Sequence, residues 1–311
     1  MKFSKKYFQS ICFGIMTLSL LSIAIFSLVS FINTQENEAD ALYKEAFNRN
    51  YKIYSPLIKD SLSFAGEKVP MEIFHVRERY DRELLVNTYW QSNTILMIKR
   101  ANRWFPVIEP ILKEEGVPDD FKYLAMIESS FINQVSSAGA AGFWQFIKPT
   151  AQLYKLEVNE FVDERNHVEK STHAACRYLQ HAYARFGSWT LVAASYNTGE
   201  GNINYHVRTQ EISDYYQMHL PDETLRYVFR ILAMKEIYEH PADYGLFLRE
   251  QDMYEPLKVK TIEVDTAIPN LFAFAKTQGV SYQILKMYNP WLRARNLPNK
   301  SQKKYSIELP I

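Results

Sequence analysis

The sequence predicts a mainly α-helical protein with an apolar N-terminal helix and a small α+β unit at the other end. Apolar residues recur every three or four positions from about Phe64 to Tyr254, an uncharged run extends from Ser10 to Asn33, and after Pro256 short strand-like and helix-like segments replace the helical pattern. With 311 residues, 47% hydrophobic and 14% aromatic, the chain can build a sizeable core and is not a disordered protein. Its 36 Lys and Arg nearly balance 35 Asp and Glu without gathering into a basic cluster, which argues against a nucleic-acid partner.

Residues 1–34 read as a membrane anchor. Lys2, Lys5 and Lys6 precede the apolar run, and Glu36, Glu38 and Asp40 follow it. A run of this size spans the ~30 Å hydrocarbon layer, and basic residues ahead of it place the N-terminus in the cytoplasm with the body exported. A cleaved signal peptide is the competing reading, but the run is long for one and lacks an A-x-A site. Cys12 stands near the start of the run, whereas a lipoprotein cysteine would follow it. Cys176, in a helical pattern, has no evident partner, so no disulfide framework is implied.

Residues 35–63, polar and aromatic in turn, read as a tether. Residues 64–255 read as one helical domain. The stretch from Arg79 to Gly116 repeats apolar residues at helical spacing and ends at Gly116 and Pro118. Val168, Ala175, Tyr178, Leu179, Ala182 and Phe186 share a face that stops at Gly187, and Leu225, Val228, Phe229, Leu232 and Ile237 share another that opens at Pro221 and Asp222 and closes near Pro241. Residues 256–311 form a strand, helix, helix, strand unit, with Ser281 as N-cap of its second helix.

One carboxylate departs from this pattern. In "YLAMIESSF" Glu128 falls on the apolar stripe of Phe121, Leu124 and Phe131, and a buried carboxylate is costly unless it is paired or used. Paired, it is a structural ion pair. Unpaired, its pKa rises and it becomes a general acid of the kind that protonates a glycosidic oxygen near neutral pH. Downstream, Gly139 and Gly142 permit tight turns or the close approach of a ligand, "SYNTGEGNI" places Gly199 and Gly201 at a helix end, and "ETLRYV" covers Glu223 to Val228.

In this order and spacing the motifs resemble the lytic transglycosylases that cleave bacterial peptidoglycan: Glu128-Ser129, Gly142-x-x-Gln145, Tyr196-Asn197-x-Gly199, and Glu223-Thr224-x-x-Tyr227-Val228. The upstream segment from Val69 and the Trp144 form of the second motif resemble the membrane-bound murein transglycosylase D branch of that family. The resemblance implies a lysozyme-like catalytic domain that cuts the bond between N-acetylmuramic acid and N-acetylglucosamine without water and leaves 1,6-anhydromuramoyl ends. It implies Glu128 as the single acid and base, with Ser129, Gln145, Tyr196, Asn197 and Tyr227 binding substrate, and Glu223 and Thr224 capping the helix that presents Tyr227. It also implies a periplasmic location on the inner membrane, glycan strands as substrate, and neither cofactor nor metal. The C-terminal unit, with Asn289-Pro290, resembles a degenerate LysM module, as a glycan binder or as a structural extension.

A hydrolytic muramidase and a non-catalytic wall-binding scaffold are the alternatives. Glu157, Glu160, Asp163 and Glu200 stand as possible second carboxylates, which a paired-carboxylate glycosidase would need. His167, His173 and His181 are not spaced to gather a metal on one helix face. "RERYDRE", residues 77–83, reads as a solvated, self-paired helical face, and Trp90, Trp104 and Trp189 as core.

Overall fold

The computed structural model describes residue 25, residues 40–46 and residues 53–311. The chain divides into two compact units, Met1–Ser55 and Pro56–Ile311. In the first, residues 40–46 form a helix, α1, inside the segment expected as a tether. Apart from Ile25, the expected anchor over residues 1–34 lies outside the described residues. No helix among the described residues is long and apolar enough to cross a membrane.

The second unit opens with a hairpin that the helical reading did not anticipate. Strand β1 (Leu62–Phe64) pairs antiparallel with β2 (Glu67–Val69), Leu62 opposite Val69. Ala65 and Gly66, at φ 51° and 82°, make the two-residue left-handed turn that matches strand twist. Three-residue strands are too short to show alternation in sequence. The helices of this unit therefore begin at Phe74, not near Phe64.

The single helical pattern expected up to Gly116 is two helices, α2 (Phe74–Tyr89) and α3 (Gln91–Glu114), parted at Trp90. Trp90 lies on neither inward face and is 59% exposed, contrary to its expected place in the core. There follow α4 (Phe121–Ser129), the short α5 (Lys148–Leu153), α6 (Val168–Phe186), α7 (Trp189–Thr198), α8 (Glu200–Gln210) and α9 (Asp222–Glu239). Gly187, left-handed at φ 67°, ends α6 as expected, and the Ser188 hydroxyl then accepts from Leu191 N to start α7. Helix α9 packs against α2, α4 and α7, and α6 against α3 and α7. Its inward residues, Leu225, Tyr227, Val228, Phe229, Ile231, Leu232 and Ile237, join one core with Leu124, Trp144 and Leu179.

After residue 256 the order is β3 (Val259–Val264), α10 (Leu271–Thr277), α11 (Tyr282–Tyr288) and β4 (Tyr305–Pro310). The strands pair antiparallel, Val259 opposite Pro310 and Val264 opposite Tyr305. Ser281 caps α11 as expected, accepting from Ile284 N at 3.2 Å. This part has its own core of Leu271, Leu285, Trp291, Leu292, Leu297, Ile307 and Leu309, which also takes in Val162 from the helical body.

Candidate active site

Glu128 occupies the last turn of α4. Phe121 and Leu124 bury the stripe below it, but the stripe does not continue as helix. Ser130 and Phe131 take left-handed φ values of 51° and 53°, so Phe131 reaches the core from a turn. Ser129 holds that turn: its hydroxyl donates to the Ala125 carbonyl at 3.2 Å and accepts from Phe131 N at 3.1 Å. Ser129 is only 1% exposed, and these two bonds tie its hydroxyl to the turn beside Glu128. Glu128 itself is half-buried, at the helix end where the dipole disfavours a negative charge.

Tyr227, on α9, donates its hydroxyl to Glu128 Oε1. Burial pushes the Glu128 carboxyl above the ordinary carboxylate range; the Tyr227 hydrogen bond and the Arg230 charge oppose the rise, and the Glu223 charge adds to it. Arg230 is held off on the other side, its Nη2 3.0 Å from Glu223 Oε1 and its Nε 3.6 Å from Glu83 Oε2. Arg226 bridges the same two acids, at 3.1 Å to Glu223 and 3.6 Å to Glu83. Glu83 belongs to the stretch expected as a solvated face. It is 2% exposed and Tyr80 is fully buried, because Val76, Tyr80, Glu83, Leu84 and Asn87 form the inward side of α2.

The second wall is the segment 139–146. Gly142 takes φ 78°, and a Cβ there would lie 1.8 Å from the Arg165 carbonyl oxygen, so the close approach that required glycine is made by the chain's own backbone. Gln145 is itself left-handed at φ 47° and half-buried, with its amide donated to the Gly142 carbonyl at 2.8 Å. Trp144 is buried, its indole N–H donated to Thr172 Oγ1 at 3.0 Å and its carbonyl accepting from the Tyr196 hydroxyl at 2.6 Å. Burial first, and then the Glu128 charge, push the Tyr196 hydroxyl well above its ordinary value.

Asn197 is drawn in from the same helix. Its Oδ1 accepts from Thr224 Oγ1 at 2.8 Å and so ties the end of α7 to the start of α9. Thr224 and Glu223 were expected to cap α9; instead Thr224 makes this tie, Glu223 pairs with the two arginines, and the N-cap residue is Pro221 with no side-chain cap. Gly199 closes α7 as expected, whereas Gly201 lies inside α8.

Of the other carboxylates considered, Glu160 is exposed and the remaining three are engaged elsewhere. Asp163 forks onto Arg165, with two oxygens at 2.8 Å from its Nε and Nη2. Glu200 meets His181 at 3.2 Å, and Glu157 meets Lys303 at 2.6 Å. Among the histidines, His167 is buried against Trp291, and burial first, with the Lys170 charge, holds its imidazole down at about 4. His173 meets Glu115 at 2.7 Å. Trp189 stacks on Tyr183 at 4.1 Å and Trp104 packs edge-on against Phe143 at 5.1 Å, as core reading expected. Cys176 is buried, and that burial pushes its thiol up to about 12.

Arg230, Glu83 and Arg165 are the residues the sequence did not single out. All three are ordinary charges at helix or loop positions, and only contacts far along the chain give them their place.

Residues 105–218 match the family described as Transglycosylase SLT domain, and residues 260–311 match the Soluble lytic transglycosylase C-terminal LysM-like domain. Membrane-bound lytic murein transglycosylase D of Escherichia coli (strain K12) is 29% identical over 247 residues, covering 76% of this chain and 53% of that protein. A putative tributyltin chloride resistance protein of Alteromonas sp. (strain M-1) is 28% identical over 117 residues, 37% of this chain and 56% of the relative. An inactive mutant of the lytic transglycosylase Slt from Pseudomonas aeruginosa aligns at 17% identity with a TM-score of 0.35, over 60% of this chain and 36% of that one. The chain spans about half the length of the curated relatives it matches. Glu128, Gln145, Tyr196 and Asn197 lie inside the transglycosylase match, and Tyr227 lies beyond its end.

Proposed function

We propose that this chain, which carries an SLT transglycosylase domain and a LysM-like C-terminal domain, is a peptidoglycan lytic transglycosylase with Glu128 as its one acid and base. The observation that carries the reading is a half-buried carboxyl raised by burial, hydrogen-bonded by Tyr227, while the acid whose charge reaches it, Glu223, is tied to Arg226 and Arg230. A carboxyl so placed keeps its proton to higher pH than an ordinary one and can give that proton to a leaving glycosidic oxygen.

Glu128 then takes the proton of the muramoyl 6-hydroxyl, and that oxygen closes on the anomeric carbon. The exocyclic glycosidic bond breaks, the 1,6-anhydro bond forms, and the carboxyl is restored without water. Tyr227 steadies the carboxylate between the two proton transfers. Tyr196 and Gln145 supply aromatic surface and amide hydrogen bonds to the sugar. Asn197 and Ser129 act by holding the walls, through Thr224 and the turn at Phe131. No cofactor enters these steps.

The site of action is the cell envelope, with the glycan strand as substrate. The chain's basic flank and apolar run over residues 1–34 support an inner-membrane anchor with the body in the periplasm. Residues 64–255 would then be the catalytic domain and 256–311 an accessory one.

Mass spectrometry of fragments released from purified peptidoglycan, with Glu128→Gln in parallel, tests the reading. Anhydromuramoyl products from the natural chain and none from the variant are expected. Ordinary reducing ends would identify a muramidase, and wall binding without release would identify a scaffold. Products from strand ends only, or from strand interiors, will separate exo from endo action.

A further inference from the structure

The C-terminal module is joined to the helical body at the segment that follows the Gly142 motif. Phe161 and Val162 lie against it as an added strand: Arg293 N donates to the Phe161 carbonyl and Asp163 N to the Trp291 carbonyl, each at 2.8 Å. Val162, 1% exposed, belongs to the module's core with Leu292 and Ile307. Beside this strand, Lys303 Nζ reaches Glu157 Oε2 at 2.6 Å and Glu164 Oε1 at 3.1 Å, and the Tyr305 hydroxyl donates to Glu157 at 3.1 Å.

Immediately after, Arg165 turns the other way. Its guanidinium, 7% exposed and forked by Asp163, donates Nη1 to the Gly139 carbonyl at 2.8 Å and to the Phe146 carbonyl at 3.0 Å, one at each end of the segment that bears Trp144 and Gln145. Its carbonyl oxygen is the atom that closes over Gly142. The same short stretch is thus gripped by the C-terminal module on one side and grips the active-site wall on the other.

We propose that the C-terminal module is a structural part of the catalytic site: it braces residues 157–164, and Arg165 is the positioning residue that passes this order to the segment 139–146. This rests on the reading of Glu128 and Gln145 as active-site groups. The physical ground is that segment 139–146 has little regular structure of its own. Besides its turn and bridge bonds, such as Ala141 N to the Phe146 carbonyl at 3.1 Å, Arg165 supplies the charged donors that span it. Placement of a sugar-binding amide to within a fraction of an ångström has large effects on turnover.

The test uses the full chain with Lys303→Met and Tyr305→Phe combined, which removes the polar grip on Glu157 and keeps both aliphatic and aromatic bulk. Arg165→Lys, which keeps the charge but not the fork, is measured alongside. Backbone hydrogen exchange is expected to quicken about tenfold or more in residues 139–146 in both variants, with the amides of α7 unchanged. The turnover number kcat is expected to fall about 10- to 100-fold, with KM and sedimentation with purified peptidoglycan unchanged.

Exchange in 139–146 that stays at the natural rate in both variants would overturn the proposal, whatever activity does. So would unchanged exchange with lost wall sedimentation, which would make the module a glycan binder only. If the natural chain releases no anhydromuramoyl product, the catalytic reading fails, and the exchange rates still decide whether the module braces the segment.

Discussion

Two carboxylates of the Pro56–Ile311 unit, Glu128 at the end of α4 and Glu164 at the seam with the C-terminal module, are both withdrawn from water but have opposite shifts. Burial raises both. At Glu164 this is outweighed by Lys170 at 2.7 Å, by the Glu157 backbone N–H at 2.8 Å and by Lys303 at 3.1 Å, so its carboxyl is held below the ordinary range. At Glu128 one hydroxyl and a distant, already paired arginine do not suffice, and the carboxyl is held above it. The difference teaches that burial alone does not make a reactive acid. What matters is how many donors the fold aims at the charged form.

The comparison can be broken at four points. The largest effect is expected from Glu128→Gln, which removes the only acid of the proposed reaction and should lower release of anhydromuramoyl fragments by about 10²–10⁴-fold or more. The same variant should be more stable than the natural chain at neutral pH. A raised folded-state pKa means the folded protein holds its proton where the unfolded chain has lost it, so stability falls as pH climbs from the unfolded carboxylate value through the folded one. The gain of the glutamine should therefore vanish in acid, below both values, as followed by urea denaturation across pH.

Next, Gly142→Ala forces a Cβ against the Arg165 carbonyl at a left-handed φ and should cost about 3 kcal/mol in urea unfolding, with activity lost as the wall shifts. Glu164→Gln then tests the other carboxylate: it should cost about 2 kcal/mol at neutral pH, because charged hydrogen bonds from Lys170 and Lys303 are lost. Here the sign is reversed. A lowered folded-state pKa gives stability present above the unfolded value and lost as pH falls through the folded one, so the two proteins should converge in acid.

The smallest effect is expected from Tyr227→Phe. Removing the one hydrogen bond that favours the Glu128 carboxylate should move the basic limb of kcat/KM to higher pH and reduce its maximum about tenfold. A limb that moves down would show that Tyr227 serves the neutral acid instead.

Much of this site could be read before any coordinates. Glu128 stood out because a charge on an apolar stripe violates the helical pattern, and Gly142 because a glycine permits a tight turn or a close approach, which in the structure the Arg165 backbone makes. The hairpin at residues 62–69 escaped notice because three-residue strands carry no periodicity. Glu83 was misread because a run of charges looks solvated until α9 is laid across it. That the Ser129 hydroxyl also ties the end of α4 to the turn at Phe131 was not legible, because the turn itself leaves no periodic signal.

The sequence by itself determined the helical runs that hold α3, α6 and α9, the stop at Gly187, the cap at Ser281, the strand-helix-helix-strand module and the acid on the stripe of α4, since each follows from spacing or from a neighbour within a few residues. Only the tertiary structure decided that Tyr227, 99 residues away, would bond that acid, that Arg230 would be held off by Glu83 and Glu223, and that Arg165 would span Gly139 and Phe146. A carboxyl's proton affinity is set by the donors, charges and water around it, and these are brought together by packing between distant parts of the chain.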